Sequence, residues 1–176
     1  KKIKNMGLLL DLVLDTTNSV LENAYLRIPR TQSGGFFMWE RHATFNMEVW
    51  ESYDVRENVD MGKKPSRVIN IRMLDCTHED IIGSHEVLAV YENGELVSPS
   101  IPAKIGLRGG EGKDQYSCSW NEVINDTTLK QFIHDNIMEL GVEESRKLGI
   151  LNQFYTYIKT ENNFCGIDMT TSTNHP

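Results

Sequence analysis

The apolar residues of this chain change their spacing twice, and that change limits the fold more than any single motif. Near the start, Ile3, Met6, Leu10, Val13, Thr17, Val20 and Ala24 step alternately by three and four, and Leu9, Leu12 and Leu21 widen the stripe. The spacing predicts an amphipathic helix over residues 1–28, with Pro29 beyond it. Such a helix lies either on its own domain or between copies of the chain; in the second case Ile3, Met6, Leu10, Val13 and Val20 are the contact residues. From 36 to 120 the period becomes two. Phe45, Met47 and Val49 alternate with Asn46, Glu48 and Trp50, and Ile69, Ile71 and Met73 alternate with Val68, Asn70 and Arg72. Phe36 to Glu40, His85 to Tyr91 and the Tyr116, Cys118, Trp120 run read as further strands, with a turn at Asn93-Gly94. Phe36, Phe37 and Trp39 are expected in the core, because no lysine or arginine interleaves them as in a base-stacking surface. Tyr53 to Lys64 reads as a charged loop.

Helical spacing returns after residue 127. Leu129, Phe132, Ile133, Ile137 and Leu140 form one stripe, with Thr128 and Gln131 fitting a capping box and Gly141 in place for a C-cap. A last helix is expected from near Glu143, burying Leu148, Leu151, Tyr155 and Ile158, so that two helices fill 127–165. The whole is one α+β domain: an N-terminal helix, a twisted antiparallel sheet of about seven strands, then two helices.

Charge narrows the partners. The formal net charge is −7, and the middle fifty residues carry ten acids against five bases. An acidic surface repels phosphate and attracts cationic protein segments, so direct nucleic-acid binding is disfavoured. Glu48, Glu51, Asp54, Glu57, Asp60, Asp80 and Glu92 are the expected acidic docking surface. The three cysteines are scattered and without a CxxC pair, which suits a reducing compartment. No apolar run approaches the length of a membrane span. The chain begins at Lys1 rather than methionine, so an upstream segment, with any targeting peptide, is expected to have preceded it.

Catalytic and cofactor signals are weak. Gly109, Gly110, Gly112 and Lys113 resemble a phosphate loop, but Leu107 and Asp114 stand where glycine and a hydroxyl are required. Cys76, His78, Glu79 and His85 match no common zinc spacing. No cofactor and no metal are expected. A small enzyme using Cys76 with His78 is the minor alternative, since nothing nearby resembles an oxyanion loop. Asn125-Asp126-Thr127 is a glycosylation sequon that also suits a helix cap.

Several strings, in order, resemble the mitochondrial acidic matrix protein family, also known as the mitochondrial glycoprotein family, whose animal member is a receptor for complement globular heads. They are Ser33-Gly34-Gly35-Phe36, Thr44-Phe45-Asn46-Met47, Leu74-Asp75-Cys76-Thr77-His78-Glu79-Asp80, and Leu129 to Val142 with its Leu140-Gly141-Val142 break. The resemblance spans nearly the whole chain. It departs at Gly166 and the threonines at 170, 171 and 173, and in a shorter acidic loop between Asp54 and Lys64. The resemblance implies a ring-shaped homotrimer of the mitochondrial matrix with terminal helices at the subunit contacts. It implies a non-catalytic scaffold or chaperone for basic proteins such as ribosomal or RNA-binding proteins, linked to ribosome assembly, translation or RNA processing, with RNA contact indirect. The rival is a permanent structural subunit of a larger particle, such as a ribosomal, respiratory or viral assembly.

Overall fold

A computed structural model of the chain describes residues 7–13, 20–29, 36–58, 62–82, 88–100 and 114–175. The strands are Gly7–Val13 (β1), Val20–Arg27 (β2), Phe37–Trp39 (β3), His42–Trp50 (β4), Arg67–Leu74 (β5), Val90–Glu92 (β6), Glu95–Ser98 (β7), Gln115–Ser119 (β8) and Thr173–His175 (β9). The helices are Tyr53–Glu57 (α1), His78–Ile82 (α2), Trp120–Val123 (α3), Asp126–Leu140 (α4) and Val142–Ile158 (α5), with a 3-10 turn at Met169–Thr171. The fold is α+β. No helix among the described residues is long and apolar enough to cross a membrane.

One sheet of seven strands runs in the order β8-β5-β4-β2-β1-β9. β4 is long enough to serve two neighbours on one edge: Trp50 to Glu48 pair with Tyr25 to Arg27 of β2, while His42 to Thr44 pair with β3. Its other edge carries β5 from Ala43↔Met73 to Val49↔Arg67. The sheet was expected to be antiparallel. It is mixed, because β8 lies parallel to β5 from Asn70↔Gln115 to Leu74↔Ser119. A parallel neighbour needs a long crossover, and residues 75–114 supply it, including the β6–β7 hairpin.

The alternating residues explain the layers. Leu10, Leu26, Phe45, Met47, Ile69, Ile71, Tyr116 and Cys118 all lie in one buried face and belong to one core cluster. α5 covers that face; Phe154 meets Phe45 edge-on, with ring centres 5.0 Å apart. Burying a side chain of this class contributes about 1.5–3 kcal/mol. α4 lies outside α5 and buries only Leu129 completely. The two helices approach closely at Gly149, where a Cβ would sit 2.5 Å from Leu129 Cδ1. The opposite face of the sheet is polar in the middle, with Thr44, Asn46, Asn70 and Arg72, and is covered toward its ends. There Tyr25 packs edge-on against Tyr53 of α1 and His175 of β9. Gly7 permits this: a Cβ would stand 2.3 Å from the Tyr25 ring.

The N-terminal helix expected over residues 1–28 is corrected to a β-hairpin. Leu8↔Leu26, Leu10↔Ala24 and Leu12↔Leu21 are cross-strand partners. The spacing was ambiguous, since Leu8, Leu10 and Leu12 also satisfy period two, and these three are the buried ones. Asp11 at the bulge accepts a hydrogen bond from the Asn23 amide at 2.9 Å, and Asn23 takes φ of +56°. The proposed trimer contact therefore does not exist as a helix face. Leu10 is inside the chain's own core, and Val13 and Val20 face each other across the hairpin, exposed; Ile3 and Met6 lie outside the described residues.

The C-terminal helices hold their expected places with two corrections. α4 is capped by Asn125, whose side chain accepts from the Thr127 and Thr128 amides, so Thr128 is inside the helix. α5 ends at Ile158 rather than near 165. Beyond it Cys165 and Gly166 both take positive φ and reverse the chain between Phe164 and Ile167. The chain then runs back to β9 on the edge of β1. Tyr53 to Lys64, read as loop, contains α1. Trp120, read as strand, opens α3.

Candidate functional site

The expected acidic docking surface does not gather in one place. Glu48 is half-buried on β4, where its Oε2 accepts from Arg27 Nε at 3.1 Å and from Trp50 Nε1 at 3.0 Å. That oxygen already serves two donors. Glu51, Asp54 and Glu57 are exposed in and beside α1, at the end of β4. Glu57 pairs with Arg56 at 2.9 Å, while the carboxylates of Glu51 and Asp54 have no ion pair among the described residues. Asp80 sits at the other end of the sheet, since β4 and β5 run oppositely. Its Oδ2 accepts from Thr77 N at 3.0 Å and Thr77 Oγ1 at 2.7 Å, and Thr77 Oγ1 accepts from the Asp80 amide at 3.2 Å. That reciprocal pair caps α2. Glu92 is exposed on the β6–β7 hairpin, directly across from Glu95. Asp60 lies outside the described residues.

The densest polar cluster is where β5 and β8 end side by side. Parallel strands leave a crevice at their carboxyl ends, where ligands commonly bind. β5 leads into Asp75, Cys76 and α2, and β8 leads into α3. Ser119 stitches the two exits together: its Oγ donates to the Cys76 carbonyl at 2.5 Å, and its amide donates to Glu122 Oε2 at 3.2 Å. Arg41, from the turn before β4, pairs with Asp75 at 3.0 Å and also donates to Asn121. His78 Nδ1 lies against the Glu122 carboxylate. Burial pushes the Cys76 thiol up, and the negative charges of Asp80, Asp75 and Glu122 push it the same way. A nucleophilic cysteine needs its thiolate stabilised by positive charge, and this corner does the reverse. The corner holds Cys76 and His78, paired in the enzymatic alternative, beside Asp80 of the expected docking surface; Arg41 and Ser119 use their donors to join elements, whereas Asp80 caps its own helix. Among the described residues no three His, Cys, Asp or Glu side chains are arranged to hold a metal. His85, Gly109, Gly110, Gly112 and Lys113 lie outside the described residues.

Sequence reasoning missed Arg41, Asn121 and Glu122. Ser119-Trp120-Asn121-Glu122 is a legible capping-box pattern, but nothing local marks Arg41 as their partner. The expectation for the aromatics is also corrected. Phe36 stacks on Phe45 at 5.4 Å, but Phe37 and Trp39 point away from the core and are 66% and 53% exposed. Strand alternation forces this, because they share the side of Thr44 and His42, and Trp39 stacks on His42 at 5.4 Å. The β6–β7 hairpin exposes Val90, Tyr91, Leu96 and Val97 as well.

No protein-family model, curated protein or solved structure matches this chain.

Proposed function

We propose that this chain works by binding, as a non-catalytic acidic scaffold that captures cationic protein segments. The observation that supports the reading is the pair of exposed carboxylates at α1, Glu51 and Asp54, which lack a basic partner among the described residues. They belong to a chain whose acids exceed its bases by enough to give a net charge of −7. Such groups keep their attraction for an incoming lysine or arginine, whereas Glu48 and Asp80 have already committed theirs. Each exposed contact is weak, about 0–1 kcal/mol, so affinity depends on several acting at once. Titration of a fluorescent Lys/Arg-rich peptide at low and raised salt tests this. Binding should weaken steeply with salt and fall further in a Glu51→Lys, Asp54→Lys double variant. Salt-independent binding, or no effect of the double variant, refutes it. In the form the family resemblance carries, the scaffold is a homotrimer of the mitochondrial matrix serving ribosomal or RNA-binding proteins. Light scattering coupled to size exclusion should then give three chains, and a lone chain would remove that part.

A second reading, a fixed subunit of a larger particle, is favoured by the exposed Phe37, Trp39, Tyr91 and Leu96. Large apolar groups left in water mark contact surfaces when they cluster. Cofractionation with one particle and never as a free species is the expected result for that reading.

A further inference from the structure

α5 ends over the edge of the sheet rather than over its core. Asn152, Tyr155, Thr156 and Lys159 recur at the spacing that places them on one helix face. Opposite them, β9 presents Asn174 and His175, paired with Leu8 and Gly7 of β1. Between these two walls lies a cavity of about 350 Å³, within the lower range of small-molecule sites.

Its chemistry is the inverse of the rest of the molecule. The chain has 25 acids against 18 lysines and arginines, yet no carboxylate is among the residues lining this cavity, and Lys159 supplies a cation. Lys159 Nζ donates to Asn174 Oδ1 at 3.0 Å, which uses one of its three protons. That contact also turns the Asn174 amide so that its NH2 remains to donate. His175, the next residue of β9, turns its ring to the other side, where it stacks on Tyr53 at 4.2 Å. The negative end of α5 is not presented bare. The Tyr157 carbonyl accepts from the Thr160 amide at 2.9 Å and the Thr160 hydroxyl at 2.7 Å, and the Ile158 carbonyl accepts from Glu161 N at 3.0 Å. The buried Tyr155 contributes an aromatic wall.

We infer that this cavity binds a small organic anion, its carboxylate or phosphate oxygens on Lys159 and the asparagine amides and a compact planar body against Tyr155. The site is distinct from the carboxylates assigned to protein capture, so each reading stands or falls alone.

Benzoate and phenyl phosphate, with benzyl alcohol as the neutral counterpart, are titrated into the isotope-labelled full chain and followed by amide chemical shifts. At least one anion should give saturable shifts confined to residues 152–159 and 174–175. Affinity should drop about tenfold, the scale of one lost charge-assisted contact, in Lys159→Gln, which keeps a donor for Asn174. Thr156→Trp, at an exposed position, should block the cavity and abolish the shifts while the circular dichroism spectrum stays that of the parent. It supplies the test if Lys159→Gln fails to fold. Three results overturn the inference. They are no saturable shift with either anion up to about 10 mM, equal affinity for benzyl alcohol, or unchanged affinity in a folded variant.

Discussion

Removing one oxygen from Tyr155 should cost more than its size suggests. Arg27 is the last residue of β2 paired to β4, so the amide of Ile28 leaves the ladder while still buried, with Ile28 6% exposed. Its acceptor is the Tyr155 hydroxyl, 2.6 Å away and 127 residues later in the chain. Tyr155→Phe keeps the ring and its packing and leaves that donor without a partner. A buried donor stripped of its acceptor costs about 1–3 kcal/mol, more than the net value of an average hydrogen bond. With a urea slope near 2 kcal/mol/M for a chain of this size, the unfolding midpoint should fall by about 0.5–1.5 M with the slope unchanged. Hydrogen exchange at the Ile28 amide should accelerate in step. Tyr157→Phe is the comparison, because its hydroxyl lies 3.4 Å from that of Tyr116 in a half-buried contact; its effect should stay below about 1 kcal/mol. A Tyr155→Phe chain that unfolds within about 0.3 kcal/mol of the parent, or no earlier than Tyr157→Phe, would refute the accounting.

Gly7→Ala places a methyl 2.3 Å from the ring of Tyr25, which Tyr53 and His175 prevent from retreating; thermal unfolding should show a loss of about 1–3 kcal/mol. Phe154→Ala empties the contact with Phe45 at the centre of the core and should cost about 3–5 kcal/mol in urea unfolding. Asn125→Ala removes the acceptor for the Thr127 and Thr128 amides and should cost about 1 kcal/mol by the same measurement. Burial pushes the Cys165 thiol from its ordinary value of 9.0 up to about 11, so the folded chain keeps a proton that the unfolded chain releases above pH 9. Stability relative to Cys165→Ala should therefore be flat below about pH 8 and shrink by about 2–3 kcal/mol as pH rises from about 9 toward 11.

The middle and the end of the chain were legible because their periods are unambiguous. Ile69, Ile71 and Met73 cannot share a helix face, and all three are buried together as strand residues. Leu148, Leu151, Tyr155 and Ile158 fit only a helix, and α5 buries them. The start was not legible by the same rule, since Leu8 to Leu12 fit both periods and the decision was made by partners far away, Ala24, Leu26 and the strand at 173–175. Parallel pairing of β8 on β5 had no local signature. Phe37 and Trp39 are apolar and yet exposed, because a three-residue strand on β4 must turn two of its three side chains to one side. The polar corner was half visible: Cys76, His78 and Asp80 are neighbours in sequence, whereas Arg41 and Glu122 arrive only through folding.

β9 pairs Gly7 with His175, and that contact has a consequence for the order of assembly. During synthesis the outer edge of β1 stays open until residues 173–175 have been made, so β1 waits for β9. Pairings this distant slow folding through the entropy of closing a long loop. An unfinished chain would meanwhile carry an uncapped strand edge, the kind of surface that invites strands from other molecules.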